Sequence, residues 1–135
     1  MRWLALLAAF LALPSGAWAF DAVGPTQAGL SSNTEVNSAS NAATTIQIAA
    51  AVNQRARLYS LSARCQGGAA PRSSVTVTNG GTAIWSTGAA SVTTTNYEKS
   101  WAVPLMGSTN SALVVALAAC GADSVGIMSI QADRY

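Results

Sequence analysis

Residues 75–85 read VTVTNGGTAIW, and this stretch decides how the chain folds. Val75-Thr76-Val77-Thr78 alternates apolar and polar side chains, the period of a half-buried strand. Asn79-Gly80-Gly81 follows, and Asn-Gly suits the positive φ angles of a tight hairpin turn. Residues 82–87, carrying Ile84 and Trp85, then form the returning strand.

Similar short runs recur on both sides of this stretch, separated by Gly, Asn and Pro. Residues 44–51 place Ile46 and Ile48 on one face and Gln47 on the other. Residues 57–65 put Tyr59, Leu61, Ala63 and Cys65 on one face and Ser60, Ser62 and Arg64 on the opposite one. Residues 97–105 carry Trp101, Val103 and Leu105 on a shared face, and Pro104 confines this strand end to an edge or outside the sheet. Residues 112–120 are apolar on both faces; the run is short and holds Val114-Val115, which favours strand over helix. Residues 125–132, with Ile127, Met128 and Ile130, close the series. About seven strands at this spacing predict an all-β, antiparallel β-sandwich of Greek-key or jelly-roll type over 44–135.

The N-terminus reads differently. One Arg, the apolar run LALLAAFLAL and a small-x-small site at Ala17-Trp18-Ala19 have the order of a secretory signal over 1–19, cleaved between Ala19 and Phe20. The apolar run is too short to span a membrane, which takes about 20 residues. The expected product is therefore secreted, periplasmic or extracellular, with no transmembrane segment in the mature chain. Residues 20–43 are punctuated by Gly24-Pro25 and Gly29 and continue as SSNTEVNSASN, read as an N-terminal arm or linker.

Cys65 and Cys120 both lie in the mature part. An even cysteine pair in an exported chain points to a disulfide, with two buried thiols as the alternative. Charged residues make up 9% of the sequence, far below the roughly 25% of ordinary globular domains. Without Arg2, six cations face five acids, a balance that gives no electrostatic reason to expect nucleic acid.

The chain has no histidine, which removes the commonest general base and metal ligand. No acid has a second acid close by in sequence, so no local metal loop exists. Glu98 and Asp123 are the pair that a glycosidase reading would have to bring together. No enzyme activity, cofactor or metal is expected. Trp85, Tyr97 and Trp101 could line a sugar-binding surface or fill the core. Arg55, Arg57, Arg64 and Arg72 could form an anion or polysaccharide patch or serve as solvated strand-face and loop residues.

The segments VTVTNGG…IW, WAVPL…NSALVVALAACG and GIMSIQAD resemble a loose group of short phage- and prophage-encoded β-sandwich proteins. The resemblance covers about residues 44–133 and implies a virion- or tail-associated structural role. The leader and the cysteine pair depart from that pattern and imply an exported relative. The expected function is thus a non-catalytic structural or assembly protein of a virion or cell surface. The alternative is a secreted module that binds a polysaccharide or another cell-surface ligand.

Assembly is expected to use the run 112–120. Leu113, Val115 and Leu117 are bulkier and should face the core. Val114, Ala116 and Ala118 should then lie outside, covered by the arm or by a second subunit, with self-association slightly favoured.

Overall fold

The computed structural model describes residues 32–135. The expected leader, its expected cleavage between Ala19 and Phe20, and the first part of the expected arm lie outside the described residues. The antiparallel β-sandwich expected from the strand spacing is the observed architecture, with eight strands and no helix among the described residues. The strands are β1 (Ser32–Asn37), β2 (Thr44–Ile48), β3 (Ala56–Gly67), β4 (Val75–Asn79), β5 (Thr82–Ser86), β6 (Tyr97–Met106), β7 (Leu113–Leu117) and β8 (Ser124–Arg134). One sheet has the order β1-β8-β3-β6 and the other β2-β7-β4-β5.

Four of the antiparallel pairs are nested: β4 with β5, β3 with β6, β2 with β7 and β1 with β8. The chain is one long hairpin, rolled so that alternate pairs fall in opposite sheets. This is the jelly-roll order. Its tip is the turn read first in the sequence. Asn79 pairs with Thr82, so the two central residues are Gly80 and Gly81, both at positive φ (54° and 88°). That conformation is nearly free of strain for glycine alone. The turn is therefore centred one residue later than Asn79-Gly80, and the Asn79 side chain has another task. Its amide donates to Ser108 Oγ at 2.8 Å and its oxygen accepts from the Ser108 backbone at 3.1 Å, tying the β4–β5 tip to the β6–β7 loop.

The arm reading is corrected over part of its length, because Ser32–Asn37 is an edge strand paired with β8. Only Val36 packs against the core from it, so its sequence carries almost no apolar alternation to read. Tyr59 is also corrected. A β-bulge between Leu58 and Ser60 moves it off the core face, and Leu58 is buried there instead. On β6 the register passes from Ser100 to Leu105 opposite only Tyr59, so residues 101–104 arch outward and Val103 is 75% exposed. As Pro104 required, this is an edge strand.

The core lies between the sheets. Ile46, Ile48, Leu58, Leu61, Val75, Val77, Leu113, Val115, Leu117, Met128 and Ile130 meet there, alternating with exposed or half-buried neighbours along each strand. Each large side chain contributes about 1.5–3 kcal/mol through burial. At one end Cys65 of β3 bonds Cys120, just beyond β7, with Cα atoms 5.7 Å apart. The bridge ties one sheet to the other. Gly126 lies directly opposite Cys65 on β8. A Cβ there would stand 2.7 Å from Leu117 Cδ2 and 3.5 Å from Cys120 Sγ, so the glycine is what admits the bridge and Leu117 to this corner.

Two stability measurements check this packing. Reducing the disulfide, which closes a separation of 55 residues, should cost up to about 4 kcal/mol in urea unfolding. Gly126→Val should cost about 1–3 kcal/mol by overpacking, seen as a lower urea midpoint with an unchanged slope.

Candidate functional site

The three aromatic residues singled out in the sequence come together. β5 and β6 are the outermost strands of their sheets on the same side of the sandwich. Trp85 starts from the core face of β5 opposite Val77, and Tyr97 from the core face of β6 opposite Ala63. Trp85 packs edge-on to Trp101 at 5.3 Å between ring centroids and tilts toward Tyr97 at 6.5 Å. All three rings are half-buried against the core. They plug the open side where backbone pairing between the sheets is impossible. Lys99, opposite buried Leu61, points the same way, its Nζ 5.9 Å from the Trp101 ring. A cation aimed inward on an edge strand disfavours pairing of a further strand there.

The outer face of the β1-β8-β3-β6 sheet is hollow. Glu35, Ser129, Ser62 and Glu98 form one straight row across its four strands. Gln131, Ser60 and Ser100 form part of the next row. The central strands β8 and β3 thus carry short hydroxyl side chains, while the edge strands raise a glutamate on each side. The result is a groove of about 450 Å³, continuous through Glu35, Ser62 and Ser129 with a second hollow of about 190 Å³ that ends at Arg64 and Asn96. Sequence reasoning missed this site because Glu35 fell in the supposed arm. The outward serines of β3 were the one legible part of it.

Beyond the groove, Arg57 donates from Nε and Nη2 to the two oxygens of Asp133 at 2.7 and 2.6 Å. The Tyr59 hydroxyl donates to Asp133 Oδ2 at 3.0 Å, and the guanidinium lies 4.4 Å from the Tyr135 ring. Hydrogen bonding to Asp133 holds Arg57 above its already high ordinary pKa. Desolvation, then the bond to Asp133, raises the pKa of Tyr59. The bulge that displaced Tyr59 from the core is what brings its hydroxyl to this pair. Arg57 is therefore held in a structural contact, whereas Arg55, Arg64 and Arg72 are exposed and dispersed. Glu98 and Asp123 do not converge: Asp123 sits in the turn just before β8, six residues from Ser129 of the Glu98 row, about 20 Å of extended chain.

The opposite outer face has different chemistry. The strands β2, β4, β5 and β7 contain no Asp, Glu, Lys or Arg at all. Its rows are Thr45–Ala116–Thr76–Ser86 and Gln47–Val114–Thr78–Ala83. Leu113, Val115 and Leu117 are fully buried, and Val114 and Ala116 point outward and are half-buried. Ala118 is exposed but lies past the end of β7, so it borders this face rather than continuing the strand. β1, the described strand of the supposed arm, is part of the other sheet and does not cover it.

No helix among the described residues is long and apolar enough to cross a membrane. Compared with known protein families, curated proteins and solved structures, the chain has no match.

The Arg57–Asp133–Tyr59 contact gives a measurable expectation. Asp133→Asn should lower stability by about 1–3 kcal/mol, because it strips a partly buried cation of its charged partner. A group whose folded pKa is raised supports the fold below its unfolded value and loses that support as pH rises through the folded one. Wild type should therefore weaken above about pH 10, and tyrosinate absorbance should show Tyr59 ionising late. Asp133→Asn should bring that ionisation earlier.

Proposed function

We propose that the chain is an exported, non-catalytic structural protein that assembles with further copies of itself on a cell surface or virion. The observation that carries this reading is the uncharged outer face of the β2-β7-β4-β5 sheet, with Val114 and Ala116 at its centre. Among the described residues, every charged residue held in a strand belongs to the other sheet. A face of threonine, alanine and valine has no charge to desolvate when it meets a copy of itself, and its small side chains allow close approach. The signal-like leader and the buried inter-sheet disulfide support export, because such bridges form in oxidising compartments. Jelly rolls serve as capsid and lectin domains alike, so the reading rests on this face and not on the fold.

Light scattering after size exclusion should give a mass at least twice that of a single mature chain. Ala116→Glu should give a folded monomer with its disulfide intact, since it buries an unpaired charge at the centre of the contact. A wild type that stays monomeric at high concentration would overturn the assembly reading. Intact mass of exported protein should begin at Phe20; material retaining Met1 would overturn the export reading.

A further inference from the structure

We infer that the groove across the β1-β8-β3-β6 sheet binds a single chain of an uncharged, hydroxyl-rich polysaccharide. This site is on the opposite side of the sandwich from the assembly face and does not depend on it.

The groove holds unused hydrogen-bonding capacity. Several serines elsewhere are engaged in holding the fold. Ser73 Oγ donates to the Ala118 carbonyl at 2.6 Å, Ser38 Oγ accepts from the Gly126 backbone at 2.7 Å, and Ser124 Oγ bonds Ala122 and Gly67. In the groove, by contrast, the hydroxyls of Ser62, Ser100 and Ser129 have no hydrogen-bond partner among the described residues. Ser60 reaches Gln131 only at 3.5 Å. A serine hydroxyl both donates and accepts, and a carboxylate accepts only. Sugar hydroxyls also both donate and accept, so they can satisfy the serines and the flanking Glu35 and Glu98 together.

Shape agrees with this chemistry. The groove runs along β3 and β8, with one glutamate on each wall about 14 Å apart measured across the sheet. It is therefore an open channel for an extended chain. Its main volume of about 450 Å³ falls in the range of small-molecule sites, and the smaller hollow prolongs it toward Arg64. Charge selects among extended polymers. Carboxylates on both walls repel nucleic acid and sulfated or uronic-acid glycans. The floor of the main groove is hydroxyl and amide, and Ile127 in the smaller hollow is the one apolar side chain on the outer face there, which gives an apolar peptide little to bury. A neutral glycan is the extended polymer that fits both walls and floor.

The test uses the full-length protein with linear neutral hexasaccharides of β-1,4-linked glucose, xylose and N-acetylglucosamine as probes, and heparin as the anionic control. Calorimetry should show binding of at least one neutral probe, and amide shifts in NMR should cluster at Ser60, Ser62, Ser129 and Gln131. Ser62→Phe and Ser129→Phe fill the floor from the solvent side, and circular dichroism checks that they fold. Each should weaken binding by about tenfold or more, the loss of one or two hydrogen bonds. Ala116→Glu should bind as wild type does, which separates this site from assembly. Three results would each overturn the inference: no neutral probe binds, binding survives both phenylalanine variants, or heparin binds more tightly than every neutral probe. Binding lost on Trp85→Ala but kept in Ser62→Phe would place the glycan on the aromatic edge and overturn it too.

Discussion

The β4–β5 turn is the constraint from which the rest of the structure follows. Gly80 and Gly81 reverse the chain in two residues, and every strand before the turn then pairs with the strand the same number of steps after it. The pairing needs no parallel crossover, which would demand a dozen or more connecting residues. Rolling this doubled ribbon buries its inner side chains between two sheets, and the disulfide between Cys65 and Cys120 ties the sheets together near one end. Gly126 is the local condition for that corner, because any side chain there would occupy the space of Leu117.

Irregularities in the ladder are as informative as the ladder itself. The bulge at Tyr59 turns a core-pattern tyrosine into a partner for Asp133, and the arch at 101–104 lets Trp101 meet Trp85 across the open side. The bulge lies in the central strand β3 and shifts its register with both β8 and β6, whereas the arch belongs to β6, the edge strand farthest from β1. An edge strand can absorb extra residues because only one of its sides is committed to hydrogen bonds. The aromatic residues then close a side that the backbone cannot.

The two outer faces have separated chemically. Among the described residues, one sheet holds every strand-borne charge, a serine-floored hollow and a half-buried arginine–aspartate pair, and the strands of the other carry no charge. In a chain with so few charged residues this segregation leaves one outer face without any strand-borne charge.

By itself the sequence determined the class of fold, the strand positions around the turn and the sidedness of β7. These depend on side-chain alternation and turn chemistry between near neighbours, as with Leu113, Val115 and Leu117. It also pointed to the Cys65–Cys120 pair, since the two cysteines of the chain have only each other to bond. Tertiary structure alone decided that Ser32–Asn37 is a strand, because a polar edge strand is specified by the register of its partner β8 and by little in its own side chains. It decided likewise that Tyr59 leaves the core, that Val103 is exposed, and that Glu35, Ser129, Ser62 and Glu98 share one row. Those four residues come from four strands spread over nearly the whole domain. Hydrogen-bond register between distant segments aligns them, and no local pattern in the sequence encodes it.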